Sequence, residues 1–186
     1  METRSGGERR TFRRKKLKKI VKSVVIVSLV CLFIFSSLYV NNKAYAFERV
    51  GATPLVSGED YAKSMIVVGD YAYVGTNTIP AKIVKVRLSN LSRAGAVTLA
   101  SGESYALSMA TDGTYAYMTT DTSPTKIVKV RLSDLSRVGA VTLASGENNA
   151  WCIATDGTYA YVGTNTIPAK IVKVRLSDLS RVGAVT

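Results

Sequence analysis

Acidic residues recur through this sequence at fixed phase: Glu59, Glu103 and Glu147, then Asp112 and Asp156, then Asp134 and Asp178. Two carboxylates converging across a pocket from unlike environments can serve as acid and base in hydrolysis of a glycosidic bond. A carboxylate repeated in every unit, however, serves the unit. Asp112 and Asp156 each precede a Gly at a turn, and Asp134 and Asp178 sit in S-D-L-S segments, where a short acceptor caps local backbone. The parallel cationic rows are Lys82/Lys126/Lys170, Lys85/Lys129/Lys173 and Arg87/Arg131/Arg175. They are expected to pair with the Glu row between units or to face water. The chain has no His, which removes His-based triads, imidazole metal sites and imidazole proton shuttles. Nothing resembles a D-x-D-x-D-G calcium loop, a phosphate loop or a nucleophile elbow. No catalytic residue, metal or cofactor is assigned.

The more informative positions are those where the repeated units disagree. Unit one reads Glu59-Asp60-Tyr61-Ala62-Lys63-Ser64-Met65, unit two Glu103-Ser104-Tyr105-Ala106-Leu107-Ser108-Met109, and unit three Glu147-Asn148-Asn149-Ala150-Trp151-Cys152-Ile153. Loops and strand ends that vary on a constant scaffold are where ligands are met. Asp60, Lys63, Asn148, Asn149 and Trp151 are therefore the candidate ligand-binding residues. Trp151 is the sole Trp of the chain, and an indole beside amides suits a sugar or a peptide. The competing explanation is drift at a permissive position. Cys152, where the other units have Ser, is expected to be a small buried strand residue with no His to activate it. Tyr71/Tyr73, Tyr115/Tyr117 and Tyr159/Tyr161 place two aromatics on one strand face in each unit, which predicts packing between units.

These residues are carried by a 44-residue unit written three times: Arg49–Ser92, Arg93–Ser136 and Arg137–Ser180, with Arg181–Thr186 opening a fourth. Each unit reads as four short strands. In the third they are Val138–Ala144, Ala150–Thr155, Tyr159–Thr164 and Lys170–Leu176. Asp156-Gly157 is a hairpin turn whose residues tolerate positive φ, and Asn165-Thr166-Ile167-Pro168 is a second turn, because Pro is barred from a central ladder. Lys170–Leu176 is apolar toward both faces, as a sheet buried between two others requires. Four strands in one short repeat fit a propeller blade, which buries both faces only against neighbours. The expected fold is all-β: four-stranded antiparallel β-propeller blades, three plus the start of a fourth, preceded by an N-terminal hydrophobic helix.

The segments Asp112-Gly113-Thr114-Tyr115-Ala116-Tyr117 and DGTYAYVGT at 156–164 resemble the D-G-x-x-A-Y-V hairpin of YVTN-type β-propeller repeats. KIVKVRLSDLSRVGAVTL resembles the second half of that repeat. The resemblance covers residues 47–186 and implies the fold and an exported protein of a bacterial or archaeal cell surface. It implies no shared catalytic residue. The Trp-Asp ending of WD40 blades and the double Gly of kelch blades are absent. Unit one departs at the turn, where Val68-Gly69-Asp70 replaces D-G. Thr155-Asp156-Gly157-Thr158-Tyr159 matches the sialidase S-x-D-x-G-x-T-W box only loosely.

The first 46 residues read as an address. Residues 1–22 carry ten basic and two acidic side chains, an uncharged apolar run spans Val24–Val40, and Ala44-Tyr45-Ala46 follows. A basic flank, an apolar stretch and an A-x-A site, cut after Ala46, make a secretory signal peptide. The run is also long enough for an uncleaved anchor, which would hold the chain in a membrane through residues 20–40 with its N-terminus cytoplasmic. Both readings export residues 47–186, to the periplasm, the cell surface or beyond. The formal net charge of +12 suggests nucleic acid, but residues 47–186 hold 14 basic and 11 acidic side chains, so the excess is the leader's. No nucleic-acid partner is expected.

Three blades are fewer than the four to eight typical of closed rings. A fragment of a longer array is the preferred reading, and self-association to complete a ring is the other. The functional expectation is an exported binding or structural module for a protein or glycan partner at a propeller face. The alternative is a propeller-fold hydrolase or lyase whose catalytic residues lie in further blades.

Overall fold

A computed structural model describes residues 48–186. The expected hydrophobic helix, Ala44 and Ala46 lie outside the described residues. Among the described residues no helix is long and apolar enough to cross a membrane.

The repeats fold into twelve strands. The first sheet holds β1 (Ala62–Val68), β2 (Tyr71–Thr76), β3 (Lys82–Arg87) and β4 (Arg93–Thr98). The second holds β5 (Ala106–Thr111), β6 (Tyr115–Thr120), β7 (Lys126–Arg131) and β8 (Arg137–Thr142). The third holds β9 (Ala150–Thr155), β10 (Tyr159–Thr164), β11 (Ile171–Arg175) and β12 (Arg181–Val185). Each is a meander in sequence order with every neighbouring pair antiparallel. The expectation of four-stranded antiparallel units is met. Strands 150–155 and 159–164 have the expected bounds, whereas 138–144 ends at Thr142. There Leu143 leaves the ladder to bury its side chain and donates its N–H to the Thr125 carbonyl.

The period is as read, but the frame of each sheet is shifted. The R-x-G-A-V-T segments do not open a unit. β4 pairs with β3, β8 with β7 and β12 with β11, so Arg181–Val185 closes the third sheet and does not begin a fourth. The cause lies in the turns. In each S-x-L-S segment the central Leu takes a left-handed φ (55° at Leu91, 58° at Leu135, 57° at Leu179). The Arg before the turn donates its N–H to the Ser after it, Arg87 to Ser92 and Arg131 to Ser136. That closed geometry folds the next segment straight back as an antiparallel partner. Asp134 Oδ1 accepts from the Ser136 N–H and hydroxyl, and Asp178 Oδ1 does the same at Ser180, as expected of turn acceptors.

The D-G turn differs from expectation in one respect. Gly113 and Gly157 have φ of 90° and 86°, while Asp112 and Asp156 do not take positive φ. Asp112 Oδ1 accepts the N–H groups of Thr114 and Tyr115, and its Oδ2 accepts the Tyr117 hydroxyl. The carboxylate thus holds the turn together instead of bending through it.

The core lies between the sheets. One cluster joins Tyr73 and Ile83 of the first sheet to Met109, Met118, Val128 and Val130 of the second. Another joins Tyr117 and Ile127 of the second to Ile153, Val162, Val172 and Val174 of the third. The second sheet is therefore apolar on both faces because both are covered, which is what the KIVKVR pattern requires. The first strand of each sheet is its inner one, β1 lying beside β5 and β5 beside β9, and the Ser64 hydroxyl donates to the Ala106 carbonyl there. Val74, Val84 and Val86, on the other face of the first sheet, are covered by Leu55.

Candidate functional site

The loops that lead into β1, β5 and β9 share one backbone device. Tyr61, Tyr105 and Asn149 all take left-handed φ, between 51° and 56°. For a Tyr this costs roughly 1–2 kcal/mol. It turns each carbonyl toward the amide just beyond the second strand of its own sheet: Asn77 donates to Tyr61, Asp121 to Tyr105 and Asn165 to Asn149. The loop and the strand end are thereby held side by side at one end of every sheet.

That arrangement defines a cavity of about 460 Å³ lined by Lys63, Asn77, Leu107, Asp121 and Trp151. Lys63, Leu107 and Trp151 occupy the same phase of the three units, one on each inner strand, and Asn77 and Asp121 share the phase beyond the second strand. Trp151 is 64% exposed, so its indole stands open to solvent at the cavity. The walls carry one cation, one carboxylate, one amide and two apolar surfaces. This mixture can hydrogen-bond a polyhydroxylated or amide-bearing ligand while stacking on one of its faces.

Of the five sequence-derived candidates, Lys63 and Trp151 line this cavity. Asp60 is exposed on the loop before β1, and Asn148 and Asn149 are half-buried on the loop before β9. None of these three is among the lining residues. Asn149 acts through its backbone, as the acceptor for Asn165. Asn77, Asp121 and Leu107 were not anticipated as site residues. Asn77 and Asp121 carried a usable signal, since Asp121 stands where units one and three have Asn. Cys152 is exposed, not buried. Among the described residues no further sheet covers that face of the third one, whereas Ser64 and Ser108 are half-buried between sheets.

The recurrent charges are structural, with partners other than those expected. Each Glu pairs inside its own sheet with the Arg that starts the fourth strand. Glu59 meets Arg93 at 2.6 Å, and Glu103 with Arg137 and Glu147 with Arg181 form the same pairs. The three carboxylates are almost fully buried, and each also accepts a backbone N–H of its own turn, from Val56, Ala100 and Ala144. The guanidinium of Arg93 holds Glu59, and that of Arg181 holds Glu147, below the ordinary carboxylate range. At Glu103 burial pushes upward, but Arg137 and the Ala100 amide outweigh it and the pKa is again lowered. The Lys85 row does not meet the Glu row. Lys85 Nζ lies 4.3 Å from the Tyr71 ring centre and donates to the Leu132 carbonyl of the next sheet. Lys129 repeats this over Tyr115 at 4.2 Å, donating to Leu176 at 2.8 Å. The first two Tyr pairs thus pack between sheets as expected, with a Lys across each, whereas Tyr159 and Tyr161 carry Lys173 on a face of the third sheet that no described sheet covers. Among the described residues no three His, Cys, Asp or Glu group to hold a metal ion.

Three meandering four-stranded sheets with buried interfaces and adjacent inner strands define a β-propeller repeat protein. A family model described as the LVIVD repeat matches residues 59–95, which runs from the Glu before β1 into β4. The match bears out the sequence resemblance at the level of propeller repeats and falls in the frame of the observed sheet. Among solved structures, the RRP9 WD40 repeats match at 12% identity and a TM-score of 0.56, covering 66% of this chain and 38% of that one. The glutaminyl cyclase of Myxococcus xanthus matches at 13% identity and TM-score 0.53, covering 69% and 52%. The Cps50 (Swd1) β-propeller domain of Myceliophteria thermophila matches at 14% identity and TM-score 0.54, covering 71% and 39%. At these identities the likeness is one of fold. The chain spans about half or less of the length of these structures. No curated protein matches it.

Proposed function

We propose that this chain is a non-catalytic binding module, exported by its basic and apolar leader, that takes a glycan or protein ligand at the end of the sheets where the inner strands begin. The observation that carries the reading is the convergence of Lys63, Leu107 and Trp151 on one cavity. These residues differ among units that agree at most of their other positions. A scaffold kept constant while one lining position is varied is the arrangement that display of a binding surface needs. A glycan suits the chemistry best. The exposed indole offers a face for the C–H side of a sugar ring, and Asn77, Asp121 and Lys63 supply acceptors and donors for its hydroxyls.

Trp151 is the only Trp of the chain, so intrinsic fluorescence reports on the site directly. Titration of the purified protein with a panel of oligosaccharides and peptides is expected to shift the emission of Trp151 saturably for at least one oligosaccharide. Calorimetry should show that binding lost in Trp151→Ala and weakened about tenfold or more in Lys63→Ala. Unchanged affinity in both variants would overturn the assignment of the site. Export is checked separately, by fractionating cells that express the whole chain and sequencing the N-terminus of the product.

A further inference from the structure

We propose that a second copy of this chain docks head to tail, the outward face of the third sheet against the outward face of the first, displacing the segment that now covers the latter. Each internal junction between sheets uses the same parts. A Leu from the S-x-L-S turn packs on a Gly of the preceding fourth strand. Leu135 lies 3.2 Å from where a Cβ of Gly95 would stand, and Leu179 lies 3.5 Å from that of Gly139. A Lys reaches across to the carbonyl of the Leu that follows the third strand, Lys85 to Leu132 and Lys129 to Leu176. An Ile of the third strand, Ile83 or Ile127, is completely buried.

One half of this junction is repeated on the third sheet, without a partner among the described residues. Gly183 has no described heavy atom within 4 Å of its Cβ position. Ile171 is 51% exposed. Lys173 lies 3.8 Å from the Tyr159 ring centre, as its counterparts lie over Tyr71 and Tyr115. The other half is repeated on the first sheet. Leu88, the counterpart of the buried Leu132 and Leu176, is 41% exposed. The two faces are complementary because they are the halves of an interface the molecule already makes twice.

The first sheet is covered by a stand-in. Leu91 lies 3.3 Å from where a Cβ of Gly51 would stand, as Leu135 lies against Gly95, and Leu55 packs on Val74, Val84 and Val86. The stretch Arg49-Val50-Gly51-Ala52 is identical in sequence to Arg181-Val182-Gly183-Ala184, yet it forms no strand, whereas Arg181–Val185 is a paired strand. In the docked pair Gly183 replaces Gly51 under Leu91, and Ile171 replaces Leu55 over the three valines. The contact is heterologous, and two copies docked reciprocally bring six of the described sheets together.

The test uses the full chain in mild detergent, with Cys31→Ser and Cys152→Ser to remove the native thiols. Adding Leu91→Cys and Gly183→Cys and a short bis-maleimide is expected to give a covalent species of twice the chain mass on a denaturing gel. The pair Gly95→Cys and Leu135→Cys, the same contact inside one chain, should cross-link without that increase. Light scattering should show the unmodified chain as a dimer and Gly183→Trp as a monomer with an unchanged β-type circular dichroism spectrum. Leu55→Asp, which loosens the stand-in, should raise the dimer fraction. A monomeric native chain overturns the proposal. So does a dimer that ignores Gly183→Trp and fails to cross-link through residues 91 and 183. A fall in dimer fraction with Leu55→Asp overturns the displacement of the covering segment.

Discussion

Arg137, the first residue of β8, donates two hydrogen bonds to Glu103, on the loop leading into β5, so one ion pair joins the outermost strand of the second sheet to the approach to its innermost. Arg93 with Glu59 and Arg181 with Glu147 do the same in the other two sheets. A meander holds its first and last strands together only through the strands between them. This pair is a direct tie between its two ends, and it recurs because every sheet needs one.

Stability is expected to be acid-sensitive through these carboxylates. The pKa values of Glu59, Glu103 and Glu147 are lowered in the folded protein. Their contribution is therefore complete above the ordinary Glu pKa, about 4.3 in an unfolded chain, and is lost as pH falls through the lower folded values. Urea midpoints should hold level from about pH 7 to about pH 5 and fall below about pH 4. The triple variant Glu59→Gln, Glu103→Gln, Glu147→Gln should flatten that fall, and an acid slope as steep as the native one would show that other groups cause it.

Removing the cation should cost more than removing an exposed one. Arg137→Met leaves Glu103 buried without its partner, and a loss of about 2–3 kcal/mol is expected at neutral pH, reduced from a fully buried pair because Arg137 is partly exposed. Arg131→Met breaks the exposed pair with Asp134 and should leave stability nearly unchanged. Chemical denaturation of the two variants side by side measures the contrast, and equal losses would contradict it.

Gly75 is required by contact between sheets. A Cβ there would lie 2.6 Å from Ser64 Oγ, 2.7 Å from Ala106 Cβ and 3.0 Å from Met109 Sδ. Gly75→Ala must push β1 and β5 apart and is expected to destabilise by about 1–3 kcal/mol. Gly183→Ala meets no described heavy atom within 4 Å and should be close to neutral in the monomer. A thermal melt of each checks the pair.

Asp112 and the buried Tyr117 should act as one unit. Tyr117→Phe removes the hydroxyl that donates to Asp112 Oδ2 and is expected to cost about 1 kcal/mol. Asp112→Ala frees two turn amides and leaves that hydroxyl without its acceptor, so about 2 kcal/mol is expected. The double variant should lose clearly less than the sum, because the shared bond is counted twice. Strict additivity in equilibrium unfolding would show the two residues to be independent.

The period of 44, the turn residues and the all-β character were legible along the chain, because each depends on neighbours in sequence. A Gly after Asp and an Asp within an S-D-L-S segment shape the backbone by local sterics and local hydrogen bonds. Strand alternation states how many faces are buried, and so the need for flanking sheets was legible as well. Lys63 and Trp151 were legible as site candidates because variation among similar repeats marks positions the scaffold leaves free.

Only the tertiary structure decided how the strands group, which charges meet and what surrounds the cavity. The R-x-G-A-V-T segment reads equally well as the first strand of one unit or the last of the previous one, since a repeat has no intrinsic starting point. Hydrogen bonding to β3, β7 and β11 resolves it. The Glu row finds Arg93, Arg137 and Arg181, and the Lys row finds Tyr rings and carbonyls, through distances set by folding the sheet. Asn77, Asp121 and Leu107 join Lys63 and Trp151 because three inner strands lie side by side. Sequence separation carries no information about such contacts. They follow from which apolar faces bury each other, and that is settled only when the sheets pack.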